Sequence, residues 1–307
     1  MKLLKFIQIA FCTIFVQNAI LAQDIFPLKV PQKVQSDGEQ FYDFELYNSV
    51  TKSRKKIVLN STQGSSSYIG KNNITIVDFN VIKTFSLEGK LLAQKIMKEP
   101  SIIVGGTLST DKANIILLMA NNISNKFSVK EYSQSNYLLK SVAENLNLNN
   151  GLGITHIGLL SNGHLMIENS DLSLSELDMV SKKVMKKIKL EQGSDEQCAS
   201  PFVSFQKNNS YYFSYSANCK DYNLISKELI NSGNKILTKG RLESNSTFPI
   251  MINNNGATLL FTGKETYHIN DSKLEKIKNI NSKKILFFDN TLIISKNPKG
   301  ELDTVKF

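Results

Sequence analysis

The chain has no tryptophan, three histidines, three cysteines and six prolines in 307 residues. Each scarcity closes off a class of protein. No Cys/His spacing of a zinc site is present, and no His-Glu-x-x-His helix. There is no glycine loop of the kind that cradles phosphate and no Gly-x-Ser-x-Gly elbow. No apolar run reaches the roughly 20 residues that a membrane-spanning helix needs. What is there is 41% hydrophobic and 21% charged, which marks a chain with a buried core rather than a disordered one. Its length suits a single all-β domain.

The first residues read as an export signal. Lys2 and Lys5 precede an apolar run from Phe6 to Val16, Gln17-Asn18 breaks it, and Ala19-Ile20-Leu21-Ala22 closes it. Positive, apolar and small-residue regions in that order make a secretory signal peptide at 1–22, cleaved after Ala22. Cys12 is an apolar residue of that signal. Cleavage lowers the formal charge from +10 to +8 and leaves two cysteines, Cys198 and Cys219. The expected location is the periplasm, cell surface or extracellular space, with no stable membrane insertion after cleavage. Outside the cytosol a basic balance gives no reason to expect nucleic acid.

Residues 23–307 show almost no helical periodicity. A repeated pattern is an apolar strand, a short polar turn and a second, more hydrophobic strand, with turns near 72, 111, 162, 208, 255 and 289. Asn162-Gly163 and its relatives suit two-residue turns whose central positions take positive φ. The mean spacing of about 43 residues is that of one four-stranded propeller blade. The second strands, such as Ile115-Ile116-Leu117-Leu118-Met119, are apolar on both faces, as burial between neighbouring blades requires. The lysines cluster on later strands, as in Lys182-Lys183 and Lys186-Lys187, where they guard exposed edges. The expected fold is a single six-bladed β-propeller over 23–307, with strands within 41–60 completing the C-terminal blade. Seven blades, if Phe41–Leu59 nucleates its own, and a β-sandwich are the alternatives.

Ser200-Pro201-Phe202-Val203-Ser204-Phe205, the turn at Asn208-Asn209, Tyr211-Tyr212-Phe213-Ser214 and Asp221-Tyr222-Asn223-Leu224 together resemble one repeat of the WD40-like, TolB-type propeller family. The likeness is strongest over 200–229 and partial around Phe248–Thr262. The resemblance implies a six-bladed propeller exported across a bacterial inner membrane, commonly a protein-binding module.

If the Asn208-Asn209 turn centres its hairpin, paired positions add to 417, as 198 and 219 do. Cys198 and Cys219 then face each other as a non-hydrogen-bonded pair, where Cα atoms approach to about 4.5 Å, at the short end of the disulfide range. A structural disulfide is expected; a metal would want further ligands nearby. His156, His164 and His268 are lone polar positions, and Asp171, Glu176, Asp178 and Asp195-Glu196 lack the spacing of a calcium loop. No catalytic, cofactor-binding or metal-ligating residue is therefore assigned. The expected function is a non-catalytic exported propeller that binds a protein or an envelope component. A metal-dependent propeller hydrolase or lactonase, and a glycan-binding surface adhesin, are the alternatives.

Overall fold

The computed structural model describes residues 24–32, 39–148, 156–160, 162–169, 171, 173–189, 204–205, 210–216, 221–228, 234–241, 250–254, 257–261, 265–270, 273–277, 280, 284–289 and 291–307. All regular structure among them is β, in seven antiparallel sheets. The chain divides into two compact units, Met1–Ile96 with Gln134–Asn136, and Met97–Ser133 with Tyr137–Phe307.

The first unit holds two sheets. β1 (Ile25–Pro31), β2 (Tyr42–Asn48) and β3 (Arg54–Ser61) form a three-stranded sheet. β4 (Ser66–Ile69), β5 (Asn73–Asp78), β6 (Val81–Ser86) and β7 (Leu91–Ile96) form a four-stranded one. The two pack through Phe44, Leu46 and Val58 on one side and Ile74, Ile76 and Phe85 on the other.

The strands within 41–60 thus do not complete the C-terminal sheet. They pair with Ile25–Pro31 and with each other. β1 matches β2 over seven residues without a break. Two prolines in those seven residues argue against a central strand, but β1 is an edge strand, where a missing N–H is tolerated.

The second unit begins with β8 (Ser101–Leu108), β9 (Asn114–Asn121), β10 (Phe127–Ser133) and β11 (Leu139–Leu146). The next sheet is β12 (Ile157–Leu159), β13 (Leu165–Glu168), β14 (Ser173–Asp178) and β15 (Lys183–Lys189). Then come β16 (Ser204–Phe205), β17 (Ser210–Ser216), β18 (Asp221–Glu228) and β19 (Asn234–Arg241). β20 (Ile250–Asn254), β21 (Ala257–Phe261), β22 (Thr266–Asn270) and β23 (Lys273–Ile277) follow. β24 (Ile285–Phe288), β25 (Leu292–Lys296) and β26 (Leu302–Lys306) make a closing sheet of three. Each sheet is a simple meander in chain order. The first strands β8, β12 and β16 adjoin one another, and so do the last strands β11 and β15. The first three sheets of this unit therefore lie side by side in chain order, with their first strands adjoining.

The second strands carry the core, as their sequences predict. Ile115 to Ala120 on β9 are all 3% exposed or less, so both faces of the strand are covered. Ile116, Leu118 and Ala120 pack with Leu165, Ile167 and Leu177 of the next sheet. Ala257, Leu259 and Phe261 likewise meet Phe288 and Ile293. Of the outermost strands, β3, β7, β11, β15 and β19 each contain a register shift against the neighbouring strand, whereas β23 and β26 do not. Bulges of this kind twist an edge away from foreign strands.

The turn at Asn162-Gly163 is longer than the two-residue type expected there, whereas Lys71-Asn72 does form one, closed by Gly70 N–H to Asn73 O. Leu160 N–H donates to His164 O across three residues, and Gly163 takes positive φ, at 83°. Gly89 and Gly300 repeat this construction. Asn254 pairs with Ala257, and residues 255–256 lie outside the described residues. A third design is a four-residue turn. Asn48 Oδ1 accepts from Val50 and Thr51 N–H, Asn121 Oδ1 from Ile123 and Ser124, and the Asp178 carboxylate from Val180 and Ser181. Each ends on a left-handed residue: Lys52, Asn125 or Lys182. An Asx side chain that holds the forward backbone makes such a turn. Each tip presents a β-branched aliphatic to solvent: Val50, Ile123 and Val180 are 65%, 81% and 90% exposed.

Candidate functional site

Histidines and carboxylates converge on the sheet β12–β15. β13 pairs with β14 so that Leu165 faces Leu177 and Met166 faces Glu176. That register carries His164 to the same sheet end as Glu176 and Asp178. His164 Nδ1 lies 2.6 Å from Glu176 Oε1, and Nε2 lies 3.9 Å from Asp178 Oδ1. Asn162 completes the group: its Oδ1 accepts from His164 N–H at 3.0 Å, and its Nδ2 donates to Glu176 Oε1 at 3.4 Å. The Ser181 hydroxyl, the N–H groups of Val180 and Ser181 and the nearby His164 hold the Asp178 carboxyl below its usual range. At the opposite end of β13, His156 Nδ1 lies 2.8 Å from Glu168 Oε2.

An imidazole that gives its Nδ1–H to a carboxylate is fixed in orientation and presents Nε2 outward in a defined tautomer. Such a group can accept or donate a hydrogen bond to a polar ligand, or move a proton. His156 and His164 each take a separate carboxylate and do not meet. Among the described residues no group of three or more His, Cys, Asp or Glu side chains is arranged to hold a metal ion.

The other sequence candidates are dispersed. Asp171 accepts from the Ser173 hydroxyl in a turn. His268 on β22 is 1% exposed and stacks on Phe307 with ring centroids 4.0 Å apart, 3.7 Å from Glu275 Oε2. Asp195, Glu196, Cys198 and Cys219 lie outside the described residues. In their hairpin, Ser204 pairs with Tyr212 and Phe205 with Tyr211, a register one residue from the expected alignment.

Sequence reasoning missed Lys29. Its Nζ donates to the carbonyls of Gln63 and Ser65, each at 2.6 Å, and lies 4.6 Å from the centre of the Tyr42 ring. Burial pulls its pKa down to about 8, against the opposing attraction of Asp78. A lysine alone in Ile-Phe-Pro-Leu-Lys-Val-Pro was the available signal. Asp43 was also missed. Burial raises its carboxyl, but hydrogen bonds from Lys56 and Gln32 outweigh that and hold it below the usual value.

No family model and no curated protein matches the chain. Solved structures do. The β-propeller domain of Cps50 (Swd1) from Myceliophteria thermophila is 7% identical, with a TM-score of 0.54 over 92% of this chain and 99% of that one. Hydrazine synthase from Kuenenia stuttgartiensis is 9% identical, with a TM-score of 0.54 over 88% and 93%. A protein of unknown function from Bacteroides caccae is 13% identical, with a TM-score of 0.50 over 82% and 95%. At such identities the likeness is one of fold. The chain is a β-propeller.

Proposed function

We propose that this chain is an exported, non-catalytic β-propeller that binds a protein or cell-envelope component through its hairpin loops. The observation that carries the reading is the repeated tip. Two turns of one build in the second unit hold Ile123 and Val180 in solvent, on exposed loops of the kind that carry binding residues. The seven sheets correspond to seven blades, the first and last of three strands. The likeness to the TolB-type repeat and the signal at 1–22 support a periplasmic or surface location.

A Cys198–Cys219 disulfide belongs to the same reading. Both cysteines lie outside the described residues, and closing a loop of this length contributes roughly 3 kcal/mol. Peptide mass mapping without reductant finds the linked pair if the reading holds, and two free thiols if it does not.

The main test is crosslinking in envelope extract with the mature chain and with the double variant Ile123→Ser, Val180→Ser. These positions are exposed, so folding is expected to survive. Loss of a discrete crosslinked partner in the variant supports the reading; equal capture by both proteins defeats it.

A further inference from the structure

Asn162-Gly163 is the only Asn-Gly step among the described residues. Both residues are exposed, Gly163 sits at φ 83°, and nothing stands within 4 Å of where a Cβ would be. Every other described asparagine precedes a residue whose side chain crowds the following amide, or precedes proline, which has no N–H. The hydrogen bond from His164 N–H to Asn162 Oδ1 folds the side-chain amide forward along the backbone of the turn. The step therefore offers attack of the backbone amide on the neighbouring side-chain carbonyl no steric screen and gives water access.

We propose that Asn162 is a site of spontaneous deamidation, and that its conversion changes the charge of the His164 site. The deprotonated Gly163 nitrogen attacks Asn162 Cγ, a C–N bond forms, and Nδ2 leaves as ammonia. The product is a five-membered succinimide. Water then adds to one of its two carbonyls, and ring opening gives aspartate or isoaspartate. The net change is one water consumed and one ammonia released, with no other reactant.

The position gives the reaction its consequence. Asn162 Nδ2 donates to Glu176 Oε1, and Glu176 also meets His164. Conversion replaces that donor with a third carboxylate beside Glu176 and Asp178, whose cross-strand partners on β15 are Lys186 and Lys183. The isoaspartate form also adds a backbone methylene to a turn closed by Leu160 N–H to His164 O. It loosens the hairpin that orients the imidazole. Gly163 N–H already donates to Leu160 O, so the folded turn reacts more slowly than the unfolded chain.

The test incubates the folded full chain at mildly alkaline pH in ¹⁸O-labelled water and follows the peptide containing residue 162 by mass spectrometry. Enzymatic methylation reports isoaspartate. The expected result is label entering at residue 162, with both products present. Asn162→Gln abolishes that signal, and Gly163→Ala slows it severalfold. An unfolded sample run in parallel shows that the chemistry is available. Retention of the amide at 162 in the folded chain, while the unfolded chain converts, overturns the proposal.

Discussion

Strands β9 and β15 belong to adjoining sheets of the second unit and are of nearly equal length, yet they meet opposite demands. β9 is covered on both faces, and its register with β10 is unbroken over seven pairs. β15 carries Lys183, Lys186, Lys187 and Lys189, exposes Met185 at 58%, and is interrupted by a bulge against β14. The comparison teaches where this fold is specified. Side-chain packing fixes the second strand of each sheet, while an outermost strand needs only backbone pairing and a guarded edge.

The sharpest way to break that comparison is to hollow the second strand. Leu118 is fully buried between two sheets, so Leu118→Ala should cost about 2–5 kcal/mol in urea unfolding. A loss below about 1 kcal/mol would show that β9 is not the load it is taken to be.

Next in size is a charge on a strand beside a core. Lys29 has a folded pKa of about 8 against 10.5 for the free side chain. Below pH 8 both states hold the proton, and the cost of burying the charge is fully present. Between about 8 and 10.5 the unfolded chain binds the proton and the native chain has lost it, so stability should rise with pH. The total gain should be on the order of 2–3 kcal/mol. Unfolding curves across that range read the slope, and Lys29→Met should flatten it.

Gly89→Ala should cost about 1–2 kcal/mol. Its φ is 77°, and a methyl group would stand 3.1–3.2 Å from Lys55, Ile57 and Leu46 side chains. A thermal melt detects the change. Last, Lys187→Thr on β15 should move stability by less than about 0.5 kcal/mol, in contrast to Leu118. A large effect there would mean that the outer strand is packed as tightly as the inner.

The same contrast explains what the sequence disclosed. β5, β9 and β21 were legible because runs such as Asn-Ile-Ile-Leu-Leu-Met-Ala leave no polar face for solvent. The lysines of β15 likewise announced an edge. β1 was not legible, because Pro27 and Pro31 count against a strand until its edge position is known. The His164 group was hidden for another reason. Glu176 and Asp178 look scattered along the chain, and only the β13–β14 register brings them to the imidazole. Cross-strand partners depend on turn length: Gly70 and Asn73 close over the two residues expected, whereas Leu160 and His164 close over three and Ser109 and Asn114 over four. At Ser204 and Phe205 the register lies one residue from the count made outward from Asn208-Asn209.

The left-handed turn residues have a consequence for engineering. Lys52, Lys112, Asn125 and Lys182 are exposed and hold φ between 53° and 59°, where a side chain costs roughly 1–2 kcal/mol relative to a relaxed backbone. Most sit in separate hairpins. Glycine at those positions would relieve the strain turn by turn without touching the core. The molecule therefore carries a reserve of thermal tolerance in its connections, available to a designer who leaves every strand as it is.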